Sequence, residues 1–273
     1  MIRRSILFIG MLCSQFLIAQ NGLENVIVEK YYISDANDTL ANSYAGKLPI
    51  GATTYRIYLD LLPGYRFQAA YGSPEHTLKI ETSSTFFNNV DYGNNIPNVI
   101  PQRSIHKNTV MLDSWLSVGA AGEDLFGIMK ASDDFVETIK PENFFLQNND
   151  KRIGESLLSK DGLIKGEKVP RPTFFTIDDE AEIFGNKTGG SFVLTDGAWA
   201  CLGGSVGPDS LTTNRVLIGQ FTTDGIFSFE LNVQIGTPVP GVFQRYVARN
   251  PLKEEIVIPS LIYIDKNKKS KKG

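Results

Sequence analysis

The chain of 273 residues carries a formal net charge of −3. The residues before the first apolar run contribute +2 and residues 265–273 contribute +4, which leaves −9 for the body between them. An acidic body argues against nucleic acid as a partner, because phosphate binding relies on clustered lysine and arginine. Of the two cysteines, only Cys201 follows the apolar N-terminal run, so an internal disulfide is excluded from the mature chain.

Residues 1–19 have the pattern of a secretory signal peptide. Arg3 and Arg4 precede an apolar run from Ile6 to Ala19, which is too short to span a bilayer. Cleavage after Ala19 would leave Gln20 as the first residue. No later stretch of the sequence is long and apolar enough for a membrane span. The sequence therefore predicts a secreted protein, whether extracellular, at the cell surface or periplasmic.

The first half of the body consists of predicted strands. Residues 26–33 give the first of these. In residues 54–72 apolar side chains alternate with polar ones, and Pro63-Gly64 supplies turn chemistry in the middle. This pattern predicts a β-hairpin around which the rest of the chain is arranged. Further strands are predicted at residues 76–83 and at residues 109–118, the second of which contains Trp115.

In the second half, the pattern is weak at residues 130–171, where two or three strands and a long loop both fit. Residues 215–221 are apolar on both faces, which is typical of a central strand. The Asp224-Gly225 pair that follows is a hairpin signal. Residues 227–235 then alternate strictly between apolar and polar side chains, which predicts one amphipathic strand.

These short strands, separated by Gly, Pro and Asn turns, predict an all-β fold. It would be a β-sandwich or a jelly-roll-like architecture with little helix. We expect a single domain over residues 20–264, with the alternative of two lobes divided near residues 151–172. The lysine-rich residues 265–273 are predicted to form a disordered tail.

Several sequence blocks follow one another in a characteristic order. They read TTYRIYLDL, AYG, LKIETSSTFFNN, LDSWLSVG, WACLGG and NRVLIGQFTTDGIFSFELNVQIG. In this order they resemble a family of secreted β-rich modules of bacterial and algal proteins. The family pattern contains TYR-x-Y, DSW-[LV]-[ST]-[VI]-G and RVL-[IL]-[AG]-Q-[LF]-TT-x-G, followed by LN-[VI]-Q. The resemblance, from about Tyr31 to Gly236, implies an extracellular module and transfers no catalytic residue.

Two tryptophans are candidate ligand-binding residues. Asp113 lies two residues before Trp115, and Asp196 lies three residues before Trp199. An exposed indole beside a carboxylate can stack on a sugar ring and accept hydrogen bonds from its hydroxyl groups. The alternative is that both rings pack between sheets in the core.

Carboxylates on predicted strands keep an enzymatic alternative open. Glycoside hydrolysis needs two facing carboxyl groups, and the sequence selects no pair among several candidates. These candidates are Asp60, Glu81, Asp113, Asp196 and Glu230. The two histidines, His76 and His106, are far apart in sequence and are interpreted as surface residues, with a shared metal site as the alternative.

A group of side-chain oxygens after the first predicted strand suggests a calcium site. Asp35, Asn37 and Asp38 lie within four positions, and Ca²⁺ prefers closely spaced oxygen ligands. Asp60, near the end of the TYRIYLD strand, is a candidate fourth ligand if that strand end lies beside the loop. The alternative is an Asx turn without metal.

Together these observations predict a secreted, non-catalytic binding or structural module. The expected partner is a polysaccharide or the extracellular matrix, and no cofactor is required beyond the structural Ca²⁺ considered above. The alternative function is a carbohydrate-active enzyme that uses carboxylates on its strands.

The signal-peptide interpretation can be tested on protein exported by the producing cell. We expect N-terminal sequencing of the exported form to begin at or near Gln20, because a signal peptidase cleaves after a small residue such as Ala19. A cytoplasmic protein that still begins at Met1 would contradict the expected localisation.

Overall fold

A computed structural model describes residues 21–36, 38, 48–105, 107, 109–130, 161–266 and 268, and the backbone of strands at 139–142 and 145–148. Strands dominate and helices are short, which confirms the predicted all-β class. Two layers of sheet enclose a common core, as in a β-sandwich. Among the described residues, none of the helices has the length and apolar character of a membrane-spanning segment.

One layer is sheet A, a four-stranded antiparallel sheet. Its strands, in spatial order, are β1 (Leu23–Ile33), β2 (Thr53–Leu61), β14 (Asn214–Thr223) and β5 (Trp115–Leu116). All but one of the residues of β2 are buried. Tyr55, Ile57 and Leu59 pack into the common core, while the residues between them lie under a second layer on the opposite face.

The other layer consists of sheets B and C. Sheet B contains, in spatial order, β11 (Thr173–Phe175), β13 (Gly197–Ser205), β3 (Arg66–Gly72), β16 (Val233–Gly236), β17 (Phe243–Val247) and β18 (Glu255–Val257). Sheet C contains β12 (Ser191–Leu194), β4 (Leu78–Thr82), β15 (Phe227–Glu230) and β19 (Ile262–Ile264). All pairings are antiparallel except that of β17 with β18.

The chain passes between sheets B and C repeatedly along one line, which we call the seam. Residues 73–77 join β3 to β4 there, residues 195–196 join β12 to β13, and residues 231–232 join β15 to β16. The single strand predicted at residues 227–235 is therefore divided between two sheets. The alternation of core-facing and outward-facing side chains nevertheless continues from β15 into β16. Phe227, Leu231 and Ile235, which lie before, in and after the crossing, all face the core.

The remaining elements are small. A three-stranded sheet contains β10 (Leu163–Lys165), β7 (Leu125–Gly127) and β6 (Ala120–Gly122), and a hairpin contains β8 (Ile139–Glu142) and β9 (Phe145–Asn148). The α-helix α1 is Asp178–Ala181. Short 3₁₀ helices occupy Pro97–Val99, Gln102–Ser104, Val110–Leu112, Glu182–Phe184 and Pro259–Leu261.

Two predicted hairpins are corners between sheets. The Pro63-Gly64 turn follows β2 in sheet A but leads to β3 in sheet B, and the Asp224-Gly225 turn leads from sheet A to sheet C. Both hairpin predictions are wrong because the strand before each turn is already paired on both edges, β2 with β1 and β14, and β14 with β2 and β5. The Asn214 side-chain amide fixes the first corner by donating to the carbonyl oxygens of Leu62 and Tyr65, at 3.0 and 2.9 Å.

The outer face of sheet A is covered by the described residues of 87–105 and 109–112 and by the sheet of β6, β7 and β10, which together we call the covering layer. The Arg56 guanidinium is buried at this interface, with 1% of the residue exposed. Its Nε donates to Gln220 Oε1 at 2.8 Å and its Nη1 to the carbonyl oxygen of Gly162 at 2.9 Å. The Tyr31 ring lies 3.5 Å from the guanidinium carbon.

Glu29 is the buried carboxylate of the same interface. It accepts hydrogen bonds from the Tyr58 hydroxyl at 3.1 Å and from the Lys130 backbone N–H at 2.9 Å. Burial raises the pKa of Glu29, and the charges of Arg56 and Lys130 oppose that rise. The two buried charges and their hydrogen bonds therefore connect β1 and β2 to the covering layer.

The motif blocks singled out in the sequence meet at this interface. Gln220 donates to the carbonyl oxygens of Met111 and Asp113, at 3.0 and 2.7 Å. The Ser114 hydroxyl donates to Phe87 and accepts from the Thr222 backbone N–H. The TYR, DSW and TT blocks thus serve to attach the covering layer to sheet A.

Two observations bear on the domain boundaries. Strands on either side of residues 151–172 pair with each other, as β2 does with β14 and β3 with β13.

Asp265, the first residue of the predicted tail, is buried. Its carboxylate accepts a hydrogen bond from the Tyr55 hydroxyl at 2.6 Å and lies 3.0 Å from Lys30 Nζ. Lys268 Nζ donates to the Thr223 carbonyl oxygen at 2.8 Å. The chain is therefore attached to sheet A at and beyond position 265.

Because Arg56 is buried, its replacement should destabilise the fold more than the replacement of a partly exposed arginine on the same sheet. We expect Arg56→Met to lower the free energy of unfolding by about 3–5 kcal/mol, because it removes one of the two cations near the buried Glu29 and leaves the buried acceptors on Gln220 and Gly162 without their donor. The matched control is Arg215→Met on β14, whose ion pair with Asp60 at 3.4 Å is partly exposed and whose loss should cost below about 1 kcal/mol. Urea denaturation measures both changes, and equal losses would contradict this account of the interface.

Candidate functional site

A cavity of about 340 Å³ opens on the outer face of sheet B, beside the seam. Three of its side chains come from one row across the sheet, since Gln234 pairs with Arg245 and Arg245 pairs with Glu255. Residues directly opposite one another on neighbouring strands face the same side of a sheet. The parallel pairing of β17 with β18 therefore brings Glu255 beside Arg245.

The opposite wall of this seam pocket is the loop of residues 73–77, whose Ser-Pro-Glu sequence favours a turn. Ser73 and His76 exchange backbone hydrogen bonds, at 2.9 and 3.1 Å. The side-chain amide of Asn232 donates to the His76 carbonyl oxygen at 3.1 Å. The loop is thus held in one conformation by its own backbone and by the other strand that crosses the seam.

His76 joins the two walls of the seam pocket. Its Nε2 lies 2.7 Å from Glu255 Oε2, and both side chains are almost fully buried. The same carboxylate oxygen accepts the Leu252 backbone N–H at 2.7 Å. A carboxylate in this position orients the imidazole ring. The interpretation of His76 as a surface residue is therefore wrong, and His106, its suggested metal-binding partner, lies outside the described residues.

Tyr71 lies on the floor of the seam pocket. Its hydroxyl oxygen is buried, and it has no hydrogen-bond partner among the residues that the structure describes. Burial, together with the negative charge of Glu255, raises the pKa of Tyr71 to about 12. The hydroxyl therefore stays protonated at neutral pH and is a donor without an acceptor, which costs free energy in a folded protein.

The rest of the pocket offers both donors and acceptors. The Arg245 guanidinium is exposed and lies 5.2 Å from the Phe243 ring, and the Gln234 side chain donates to Gln68 at 2.9 Å. The Ser73 hydroxyl donates to the exposed Glu75 carboxylate at 3.1 Å. The Ser73 proton is thus directed to a carboxylate and not to the imidazole, so this arrangement suits binding better than nucleophilic attack.

Both candidate tryptophans lie in the interior. Trp115 is 2% exposed and Trp199 is fully buried, with its Nε1 donating to the carbonyl oxygens of Ser117 and Ile218 at 3.2 and 3.1 Å. Stacking on a sugar requires an exposed ring face. The structure therefore corrects the ligand-binding interpretation of these residues in favour of the core alternative.

Four of the five candidate carboxylates on strands contact protein groups of their own, and Glu81 accepts the Ser191 hydroxyl at 3.0 Å. Asp113 is buried and accepts the backbone N–H groups of Asn89 and Asn94, both at 2.7 Å. Burial raises the pKa of Asp113 well above its usual value. Asp60 and Glu230 each contact an arginine. The carboxylates of the seam pocket are Glu75 and Glu255, which were not among the candidates.

The structure describes Asp35 and Asp38 of the loop after β1, for which calcium binding stays a prediction. The Asp38 carboxylate accepts the Tyr32 hydroxyl, at 2.9 and 3.0 Å to its two oxygens, and the Asp35 backbone N–H at 2.8 Å. Asn37 lies outside the described residues. Within the described part of the chain, no group of three metal-binding side chains is found.

Asp60 is wrongly assigned to this loop. It pairs with Asn25 at one end of the β1–β2 ladder, whereas the loop follows Ile33, which pairs with Thr53 at the other end. Asp60 lies seven positions along β2 from Thr53, which is roughly 23 Å at about 3.3 Å per residue.

No protein-family model, no curated protein and no solved structure matches this chain.

The placement of Asp60 predicts how two variants respond to calcium. If calcium binds the first loop, the melting temperature rises in calcium and falls in chelator, because a ligand of the folded state stabilises it. We expect Asp35→Ala to remove this difference and Asp60→Asn to leave it unchanged. Equal melting of the unmodified protein in calcium and in chelator would show that the loop is an Asx turn, and a loss of the difference in Asp60→Asn would contradict the described geometry.

Proposed function

We propose that this protein is a secreted, non-catalytic binding module whose ligand site is the seam pocket and whose ligand is a neutral polysaccharide. Secretion rests on the N-terminal sequence, and the binding role rests on the pocket. The observation that carries the proposal is a cavity lined by polar donors and acceptors, with the unpartnered hydroxyl of Tyr71 at its floor.

The size and chemistry of the pocket support this proposal. Its volume of about 340 Å³ lies within the range of roughly 300–1,000 Å³ that is typical of small-ligand sites. Each sugar hydroxyl is both a donor and an acceptor, so a pocket with Arg245 and Gln234 on one wall and Glu75 on the other can satisfy several of them together. The Tyr71 oxygen is shielded from solvent, so a ligand acceptor reaches it through a small displacement of the pocket wall.

The charge of the site favours a neutral sugar over an acidic one. Arg245 is the cation of the pocket, while Glu75 and Glu255 contribute two carboxylates. The body of the protein, at −9, also repels a polyanion. A uronate or sulfated polymer would therefore lose more through repulsion than it would gain from a single guanidinium.

The experiment is affinity electrophoresis in gels that contain laminarin, xylan, agarose or hydroxyethyl cellulose, with alginate and pectate as acidic counterparts. We expect retardation by at least one of the neutral polymers and none by the acidic ones. Arg245→Ala should weaken binding by about tenfold or more, since hydrogen bonds from charged groups contribute about 1.5–3 kcal/mol. Arg249→Ala is the matched control, because Arg249 is also exposed but pairs with Glu230 outside the pocket.

Several outcomes would overturn the proposal. Absence of retardation in every neutral gel removes the binding function, and retardation only by the acidic polymers replaces the ligand class. Tyr71→Phe separates a binding role from a structural one, because it removes a hydroxyl without a partner. We expect it to weaken binding while the melting temperature stays the same or rises.

The enzymatic alternative is tested in the same samples. Glu75 and Glu255 line one cavity, as glycoside hydrolysis would require of two carboxylates. Release of reducing ends by the unmodified protein, lost in Glu75→Gln, would favour the enzyme over the binding module.

A further inference from the structure

We propose that the ligand site continues from the seam pocket across the outer face of sheet B to Phe175, so that the ligand is a linear neutral glycan bound along its length. This inference rests on the proposed function and specifies the form of its ligand. It makes the outer face of sheet B a groove that crosses the strands.

The register of sheet B places the required residues in two rows. One row runs from the pocket residue Gln234 to its neighbours Ala69 on β3, Ala200 on β13 and Thr173 on β11. The intermediate positions of this row thus carry methyl groups. Ala200 itself is 6% exposed, so close approach to the sheet is offered at Ala69 and, in the neighbouring row, at Ala198.

The second row ends at an exposed aromatic ring. Tyr71 of the pocket pairs with Ala198, and Ala198 pairs with Phe175. Phe175 is 44% exposed, whereas its strand neighbour Phe174 packs against the core. An apolar ring at the end of a row of small side chains, and in line with a polar pocket, suits the apolar face of a sugar ring.

The backbone next to Phe175 is held in a specific conformation. Thr176 has a φ of 55°, which β-branched residues rarely adopt, and its hydroxyl donates to the Asp196 carbonyl oxygen at 2.9 Å. Such backbone outliers persist only where the surroundings enforce them, and they are frequent at ligand sites. The end of β11 is therefore fixed to the seam, with Phe175 positioned in advance of binding.

The distance across the groove decides between a chain and a single sugar. Four strand spacings separate β17, which carries Arg245, from β11, which carries Phe175. At about 4.8 Å for each spacing, the two residues are roughly 19 Å apart. A single sugar in the pocket cannot reach Phe175, so a ligand that contacts both ends must be an extended oligomer.

The experiment compares short and long ligands by isothermal titration calorimetry. The probes are the two-unit and six-unit members of the cello-, xylo- and laminari-oligosaccharide series. We expect at least one series in which the six-unit ligand binds more tightly than the two-unit ligand. Phe175→Ala should weaken the six-unit ligand by roughly 2- to 12-fold and leave the two-unit ligand unchanged, as expected for the loss of one ring contact.

Two further variants control this result. Ala69→Leu fills the floor of the groove and should lower the affinity of the six-unit ligand towards that of the two-unit ligand. Tyr92→Ala is the matched control, because Tyr92 is 39% exposed in the covering layer, away from sheet B, and should change neither affinity. Melting temperatures of all variants verify that each is folded.

The outcomes distinguish this inference from the proposed function. Binding of a series with equal affinity for two and six units, or an unchanged six-unit affinity in Phe175→Ala, would overturn the groove and leave the pocket in place. Absence of binding in all three series, together with absence of retardation in every neutral gel, would overturn both.

Discussion

The buried guanidinium of Arg56 is the constraint on which the rest of the structure depends. A charge in the interior is tolerated only when its hydrogen bonds and its counter-charge are supplied. Here they come from β14, from the segment at Gly162 and from the carboxylate of Glu29. The central strand β2 can therefore be buried on both faces only if the covering layer is in place. The motif blocks with recognisable spacing belong to this attachment, which explains why they indicated a fold more clearly than a function.

Local patterns in the sequence predicted which residues face inwards, but they did not predict which strands pair. The alternation at residues 227–235 correctly identifies Phe227, Phe229 and Val233 as core residues. The Pro63-Gly64 and Asp224-Gly225 turns correctly mark reversals of the chain. A turn specifies only that the chain changes direction. Which strand pairs with the strand after the turn is decided by competition among strands that are distant in the sequence. The two corners have the local sequence of hairpins, and what prevents the hairpins is the pairing of β2 with β1 and β14 and of β14 with β5, which no local pattern records.

The candidate site was less predictable than the fold, because its residues come from distant parts of the chain. His76 and Glu255 are 179 positions apart, and they meet through a parallel pairing of three residues that leaves no local pattern. The tryptophans were predicted as ligand-binding residues but lie in the core. A tryptophan near an aspartate in the sequence gives the same motif whether its ring faces solvent or the core. The alanines on either side of Trp199 were the sequence signal that could have corrected this error. Ala198 and Ala200 point to the opposite face of the strand from Trp199. Small residues on one face suit close approach of another molecule there, and the bulky ring on the other face then belongs to the core.

The strand that carries Glu255 has a consequence for how the pocket behaves in time. β18 has three residues and lies at the edge of sheet B, where it pairs only with β17 among the described strands. Short edge strands are among the elements that open locally at a small fraction of the global free energy, whereas amide protons of buried central strands such as β2 are typically the most protected. Each local opening separates Glu255 from His76 and widens the space between the two walls. Loss of the β17–β18 pairing would therefore remove one wall of the seam pocket at Glu255, while the floor at Tyr71 would keep its place in the sandwich.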